Sequence, residues 1–171
     1  MTEVRTIKER VYSRYLRKKG ASGLSDWKNI LTQLTTSEGK PEALDDIMVL
    51  DLSYANFSGN VTASFLAEAG AEVINVEPPE GDPSRIMSPY GANVKGVGIP
   101  YLMESRNKRQ VTLDLESPEG QDNLKRLVKR ADILIETYAP GQMDAWKIGY
   151  RHLWELNPGL IYIAISPYGH Y

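Results

Sequence analysis

The chain has 171 residues and a formal net charge of −2. That is enough for one domain with a sizeable core, and the charge gives no reason to expect a nucleic-acid partner. With no cysteine and two histidines, His152 and His170, disulfides, a thiol nucleophile and a Cys-ligated metal are excluded, and a metal site is not expected. No apolar run approaches the roughly 20 residues of a membrane-spanning helix. The basic N-terminus lacks the apolar stretch of a signal peptide, so the expected compartment is cytoplasmic.

Val4, Ile7, Val11 and Tyr15 recur at helical spacing on an otherwise basic segment. Arg17, Lys18 and Lys19 suit a helix C-terminus, and Gly20 is a natural stop. Ser25 is placed to cap a second helix carrying Trp27, Ile30, Leu31 and Leu34. Residues 35–45 read as a linker, so residues 1–45 are expected to be a helical N-terminal extension.

From residue 46 the rhythm changes. IMVLDLS, AEVINVE, QVTLDL, ADILIE and LIYIAIS are five short apolar runs expected to be strands. YANFSGN reads as a loop, VTASFLAEAG as a helix closed at Gly70, PPEGDPSR as a loop, and residues 86–103 as irregular. Ser117 and Pro118 open a further helix whose core face is Leu124, Leu127 and Val128. TYAPGQMDAWKIGY holds a loop with a short helix, and His152 sits on a helix surface. Alternation of strands and helices predicts an α/β fold, an open and mainly parallel Rossmann-like sheet with flanking helices. Ligands then belong beyond the carboxyl ends of the strands, at SYANFSG, EPPEGD, DLES, ETYAPG and SPYG.

The first strand-to-helix turn carries one glycine, not G-x-G-x-x-G, and no Walker sequence is present. The NAD and P-loop readings lose their weight. The Tyr54-to-Asn60 loop could stack a purine and offer backbone N–H groups to phosphate, or be a plain connection. Asn107-Lys108-Arg109 could grip an anion, or be a solvated turn paired with Glu77 or Asp114. Glu77 could orient a ribose hydroxyl or be surface charge. No Ser-His-Asp set can be assembled.

Taken in order, GAEVI-x-VEPP-x-GDPSR, NKR-x-V-x-LDL-x-SPEG, ADILIE-x-Y-x-PG and LNP-x-LIY-x-x-IS resemble the class III CoA-transferases. That family includes formyl-CoA, carnitine and benzylsuccinate CoA-transferases and α-methylacyl-CoA racemase. The resemblance covers residues 46–171 and implies part of a large domain that binds the nucleotide end of coenzyme A. It implies CoA as a substrate rather than a resident cofactor, and no metal. Its substrates would be an acyl-CoA and a carboxylic acid, and its partner a polypeptide of the same family in an interlocked assembly. By position, Asn56, Phe57, Leu113, Asp114, Leu115, Thr137, Tyr138 and Ala139 fall at its CoA contacts. Glu116 and Ala145 stand where relatives often carry cations, leaving Lys147 or Arg85 as substitutes.

The family's nucleophilic aspartate would lie beyond Tyr171, so no catalytic residue is assigned. Asp51, Asp82 and Asp114 do not occupy its motif position. The resemblance therefore implies part or a subunit of a transferase that works with a further segment or chain. The alternatives are a non-catalytic CoA-binding subunit, a racemase or an acyl-CoA dehydratase. Asn107-Lys108-Arg109, at the amino end of its strand, is expected to anchor structure. Arg109 would engage carboxylates across the chain interface.

Overall fold

The computed structural model describes residues 42–169 together with Asn29 and Thr32. The expected helices of residues 4–34 otherwise lie outside the described residues. The α/β unit spans Glu42–Tyr171. Its first strand, β1 (Met48–Leu52), is followed by α1 (Phe57–Glu68) and β2 (Glu72–Glu77). A short hairpin, β3 (Asn93–Val94) and β4 (Val97–Gly98), leads into α2 (Ile99–Glu104) and β5 (Lys108–Thr112). Then come α3 (Pro118–Val128), β6 (Ile133–Glu136), α4 (Gln142–Ala145), α5 (Tyr150–Leu156) and β7 (Ile161–Ala164).

Five strands form one parallel sheet in the order β5-β2-β1-β6-β7. Successive side chains leave a strand on opposite faces, so each apolar run feeds two layers. Leu50, Leu52 and Leu134 pack with Leu124 and Val128 of α3, Met143 of α4 and Leu153 of α5. Val49, Val73 and Ile135 face Ala63 and Ala67 of α1. Both faces are covered, which is why the strands read as continuous hydrophobic runs.

The structure moves three expected boundaries. The first loop is shorter than expected, because Asn56 caps α1 with its side chain accepting from Gly59 N at 3.2 Å. Phe57 to Asn60 are therefore helical, not loop. Within residues 86–103, α2 forms with Pro100 in its first turn, where a missing N–H costs nothing. The third strand starts earlier, at Lys108, because Lys108 pairs in register with Val73 of β2. The α3 start is as expected: Ser117 accepts from Gly120 N at 3.0 Å, with Pro118 at the first position. Gly120 is required there, because a Cβ would come within 1.8 Å of Asp114 O. That close approach presses the β5–α3 turn against the helix.

Candidate functional site

The chain runs outward from β1 through β2 to β5, then returns to the other side of β1 for β6 and β7. The reversal places a switch point between the carboxyl ends of β1 and β6, where open α/β sheets bind ligands. The two loops that leave it are tied together. Tyr54 N donates to Thr137 Oγ1 at 3.0 Å, and that hydroxyl donates to Tyr54 O at 3.3 Å. Tyr54 and Tyr138 stack with ring centroids 6.4 Å apart, and Tyr138 meets Trp146 edge-on at 5.0 Å.

Beside them lies a cleft of about 450 Å³. It is lined by the aromatic and apolar residues Tyr54, Tyr138, Trp146, Leu113 and Leu115. Pro78 and Pro79 and the acidic residues Glu80, Asp114 and Glu116 line it as well. Apolar and aromatic side chains suit an adenine ring, and carboxylates suit ribose hydroxyls. Among the described residues, no Lys or Arg lines the cleft.

Of the sequence-predicted contacts, Leu113, Asp114, Leu115 and Tyr138 meet in this cleft. Thr137 acts one step behind them, as the clasp on Tyr54. Ala139 lines a separate 220 Å³ pocket with Glu136 and Tyr162. Asn56 is occupied in capping α1, and Phe57 is 67% exposed; neither lines the cleft. Sequence reasoning missed Trp146, and reached Tyr54, Pro78, Pro79 and Glu80 only as members of strand-end loops. The available signals were an aromatic residue just past a Pro-Gly turn and a strand-end position for each of the others.

The charged candidates have structural partners. Lys108 Nζ sits 2.7 Å from Asp51 Oδ2, both side chains fully buried, and donates to Asn60 O at 2.8 Å. Burial pushes the Asp51 carboxyl up, and the Lys108 ammonium opposes the rise. Arg109 pairs with Glu72 of the same chain at 2.8 Å on the surface. Glu77 is buried and holds Arg85 through two contacts, at 2.7 and 3.1 Å, so it is no free ribose ligand. Arg85, held by the same bonds, does not line the cleft. Lys147 is exposed and does not line the cleft.

Tyr138 makes the cleft's chemistry measurable. Burial pushes its hydroxyl up to about 12, and the Glu136 carboxylate adds to the rise. A group raised in the folded state gives stability that is complete below its unfolded value, near 10, and lost as pH climbs through the folded one. The stability advantage of wild type over Tyr138→Phe should hold to about pH 10 and shrink above it. Urea denaturation at a series of alkaline pH values reads this directly.

The sequence profile of CoA-transferase family III matches residues 44–171. The chain belongs to CoA-transferase family III. It is 42% identical over 135 residues to succinyl-CoA–D-citramalate CoA-transferase of Chloroflexus aurantiacus, covering 78% of this chain and 33% of that protein. It is 41% identical over 128 residues to the alpha subunit of succinyl-CoA–L-malate CoA-transferase of the same organism, covering 74% of this chain and 29% of that one. A crystal structure of a CAIB/BAIF family protein from Brucella suis superimposes with a TM-score of 0.71 at 34% identity, over 77% of this chain and 35% of the other. This family III chain thus spans about a third of the length of the relatives it matches.

Proposed function

We propose that the α/β unit holds the nucleotide end of coenzyme A in a class III enzyme that moves CoA between an acyl-CoA and a carboxylic acid. The observation that carries this reading is the switch-point cleft, whose lining by Leu113, Leu115, Tyr138 and Trp146 offers an adenine apolar and aromatic contact. The aspartate that attacks the thioester is assigned to polypeptide outside these 171 residues. Within the unit Asp51 is neutralised by Lys108, and Asp82 caps the turn that begins at Pro83, accepting from Ser84 N at 2.7 Å and from Ala55 N at 2.8 Å. Neither carboxylate is presented to a thioester.

The same reading includes a polypeptide partner. Among the described residues β7 pairs with β6 alone, and Ile161 on it is 57% exposed. An open strand edge with apolar side chains invites a further strand. Relatives are named as alpha and beta subunits of a succinyl-CoA–L-malate CoA-transferase, which supports a second chain and keeps a non-catalytic CoA-binding subunit as the alternative. Trapping the covalent CoA adduct in the purified assembly, and finding which polypeptide bears it, separates the two.

Calorimetric titration of the full chain with CoA tests the cleft itself. Losing one aromatic face under a base costs about 1–3 kcal/mol, so Trp146→Ala should weaken CoA at least roughly fivefold. Absence of CoA binding, or an affinity indifferent to Trp146, would refute the assignment of the cleft.

A further inference from the structure

Two aromatic residues of the cleft, Tyr54 and Tyr138, stand on loops that leave the paired strands β1 and β6. The first of these loops is strained. Ala55 has a φ of 50°, in the left-handed region that disfavours alanine. Contacts from outside the loop must therefore hold it. Asp82 Oδ2 accepts from Ala55 N at 2.8 Å. One residue earlier, the Thr137 hydroxyl serves both polar groups of the Tyr54 backbone, accepting from N at 3.0 Å and donating to O at 3.3 Å. The methyl of the same side chain lies against the first turn of α1. A Cβ on Gly59 would stand 2.6 Å from Thr137 Cγ2 and 2.2 Å from Ser53 Oγ. That close packing, with the restricted χ1 of a β-branched side chain, keeps the hydroxyl aimed at Tyr54. Thr137 itself does not line the cleft.

We infer that Thr137 is the positioning residue of this cleft: it acts through Tyr54, holding that residue beside Tyr138 in the arrangement that receives the nucleotide end of CoA. The inference rests on the proposed seating of that end in the cleft. Tyr138, next in sequence, completes the grip, its ring 7° from parallel with that of Tyr54. A loop strained at Ala55 and released at Tyr54 has other conformations open to it. A ligand would then have to reorder the loop on binding, and its affinity falls by the fraction of chains no longer in the receptive form.

The test titrates CoA calorimetrically into the full chain carrying Thr137→Val or Thr137→Ser, below each variant's melting transition. Valine keeps the branched shape and removes the hydroxyl; serine keeps the hydroxyl. Thr137→Val should weaken CoA about fivefold or more, the equivalent of one ordinary hydrogen bond. Thr137→Ser should bind within about twofold of wild type. Thr137→Ala, which crowds nothing, repeats the comparison should valine disturb the fold. In a Tyr54→Ala background, Thr137→Val should add little, because no ring is left to position. A Thr137→Val protein that melts earlier yet binds CoA as wild type does overturns the inference. So does a Thr137→Ser protein no better than Thr137→Val, or a Thr137→Val loss that simply adds to that of Tyr54→Ala. In each of these cases a weakened Trp146→Ala leaves the cleft assignment standing. Failure of wild type to bind CoA overturns the cleft assignment and the inference together.

Discussion

Lys108→Met should destabilise the α/β unit by about 3–5 kcal/mol, the range for removing one partner of a buried ion pair. Lys108 and Asp51 lie 2.7 Å apart with both side chains at 0% exposure. Their isolation from water removes the screening that makes surface pairs worth about 1 kcal/mol or less. Asp51 would keep only the help of Ser53, whose N donates at 3.1 Å, for a carboxylate that needs several donors. Lys108 also moderates Glu104, whose carboxyl is pushed up by burial and by the charges of Asp82 and Asp51. Without the ammonium, Asp51 and Glu104 would lose the charge that now opposes the rise of both.

The pH dependence has a definite sign. In the variant the Asp51 carboxyl, already raised by burial, loses the charge that opposed the rise. A carboxyl raised in the folded state contributes stability present below its unfolded value, near 4, and lost as pH rises through the folded one. The deficit of Lys108→Met should therefore be largest near neutrality and shrink toward acid pH. Replacing both partners, as Lys108→Met with Asp51→Leu, should recover most of the loss, because an apolar pair of similar volume carries no desolvation penalty. Urea denaturation at neutral and acid pH measures all three proteins. A loss under about 1 kcal/mol would show that the pair behaves as a solvated one.

Lys108 also shows what a sequence does and does not reveal. That Asn107-Lys108-Arg109 anchors structure follows from its place at the amino end of a strand. The partner does not, because Asp51 stands 57 positions earlier on a strand that is not even β5's neighbour. Strand periodicity says which face a side chain takes; only the order and register of the sheet say what stands across from it. Arg109, one residue on, takes the opposite face and finds Glu72 instead. Local signals fared better: the Ser117-Pro118 helix start and the five apolar runs needed no long-range knowledge. The Asn56 cap was equally local, but the glycine three residues later suggested a loop where the helix was already running. The cleft was half legible for the same reason. Strand ends could be listed, but the approach of Trp146 to Tyr138 depends on how α4 folds back.

Glu77→Ala should cost about 3 kcal/mol or more in stability and should also weaken CoA. Glu77 ends β2, and its carboxylate gathers donors from four directions. Oε2 takes Arg85 Nε at 2.7 Å and Asp82 N at 3.2 Å. Oε1 takes Asn75 Nδ2 at 2.9 Å and both Tyr101 OH and Arg85 Nη2 at 3.1 Å. The guanidinium of Arg85 lies 4.2 Å over the Tyr101 ring, so α2 is clamped by the same node. Alanine would leave buried donors unsatisfied, each a separate penalty. Arg85 is 38% exposed and can rehydrate, which holds the loss to the lower part of the range for a broken buried pair. Arg85→Ala combined with Glu77→Ala should lose less than the sum of the two single losses by about 1–3 kcal/mol, since both remove the same contact.

The functional effect follows from what the node holds in place. Asp82, fixed through its backbone by Glu77, accepts from Ala55 N at 2.8 Å and so positions the loop after β1. Pro78, Pro79 and Glu80, between Glu77 and Asp82, line the cleft. With CoA seated there as proposed, releasing that segment should raise its dissociation constant even at temperatures where the variant remains folded. Calorimetric titration below the variant's melting transition separates this from unfolding. An unchanged affinity in folded Glu77→Ala would mean that the 78–80 segment takes no part in holding the nucleotide.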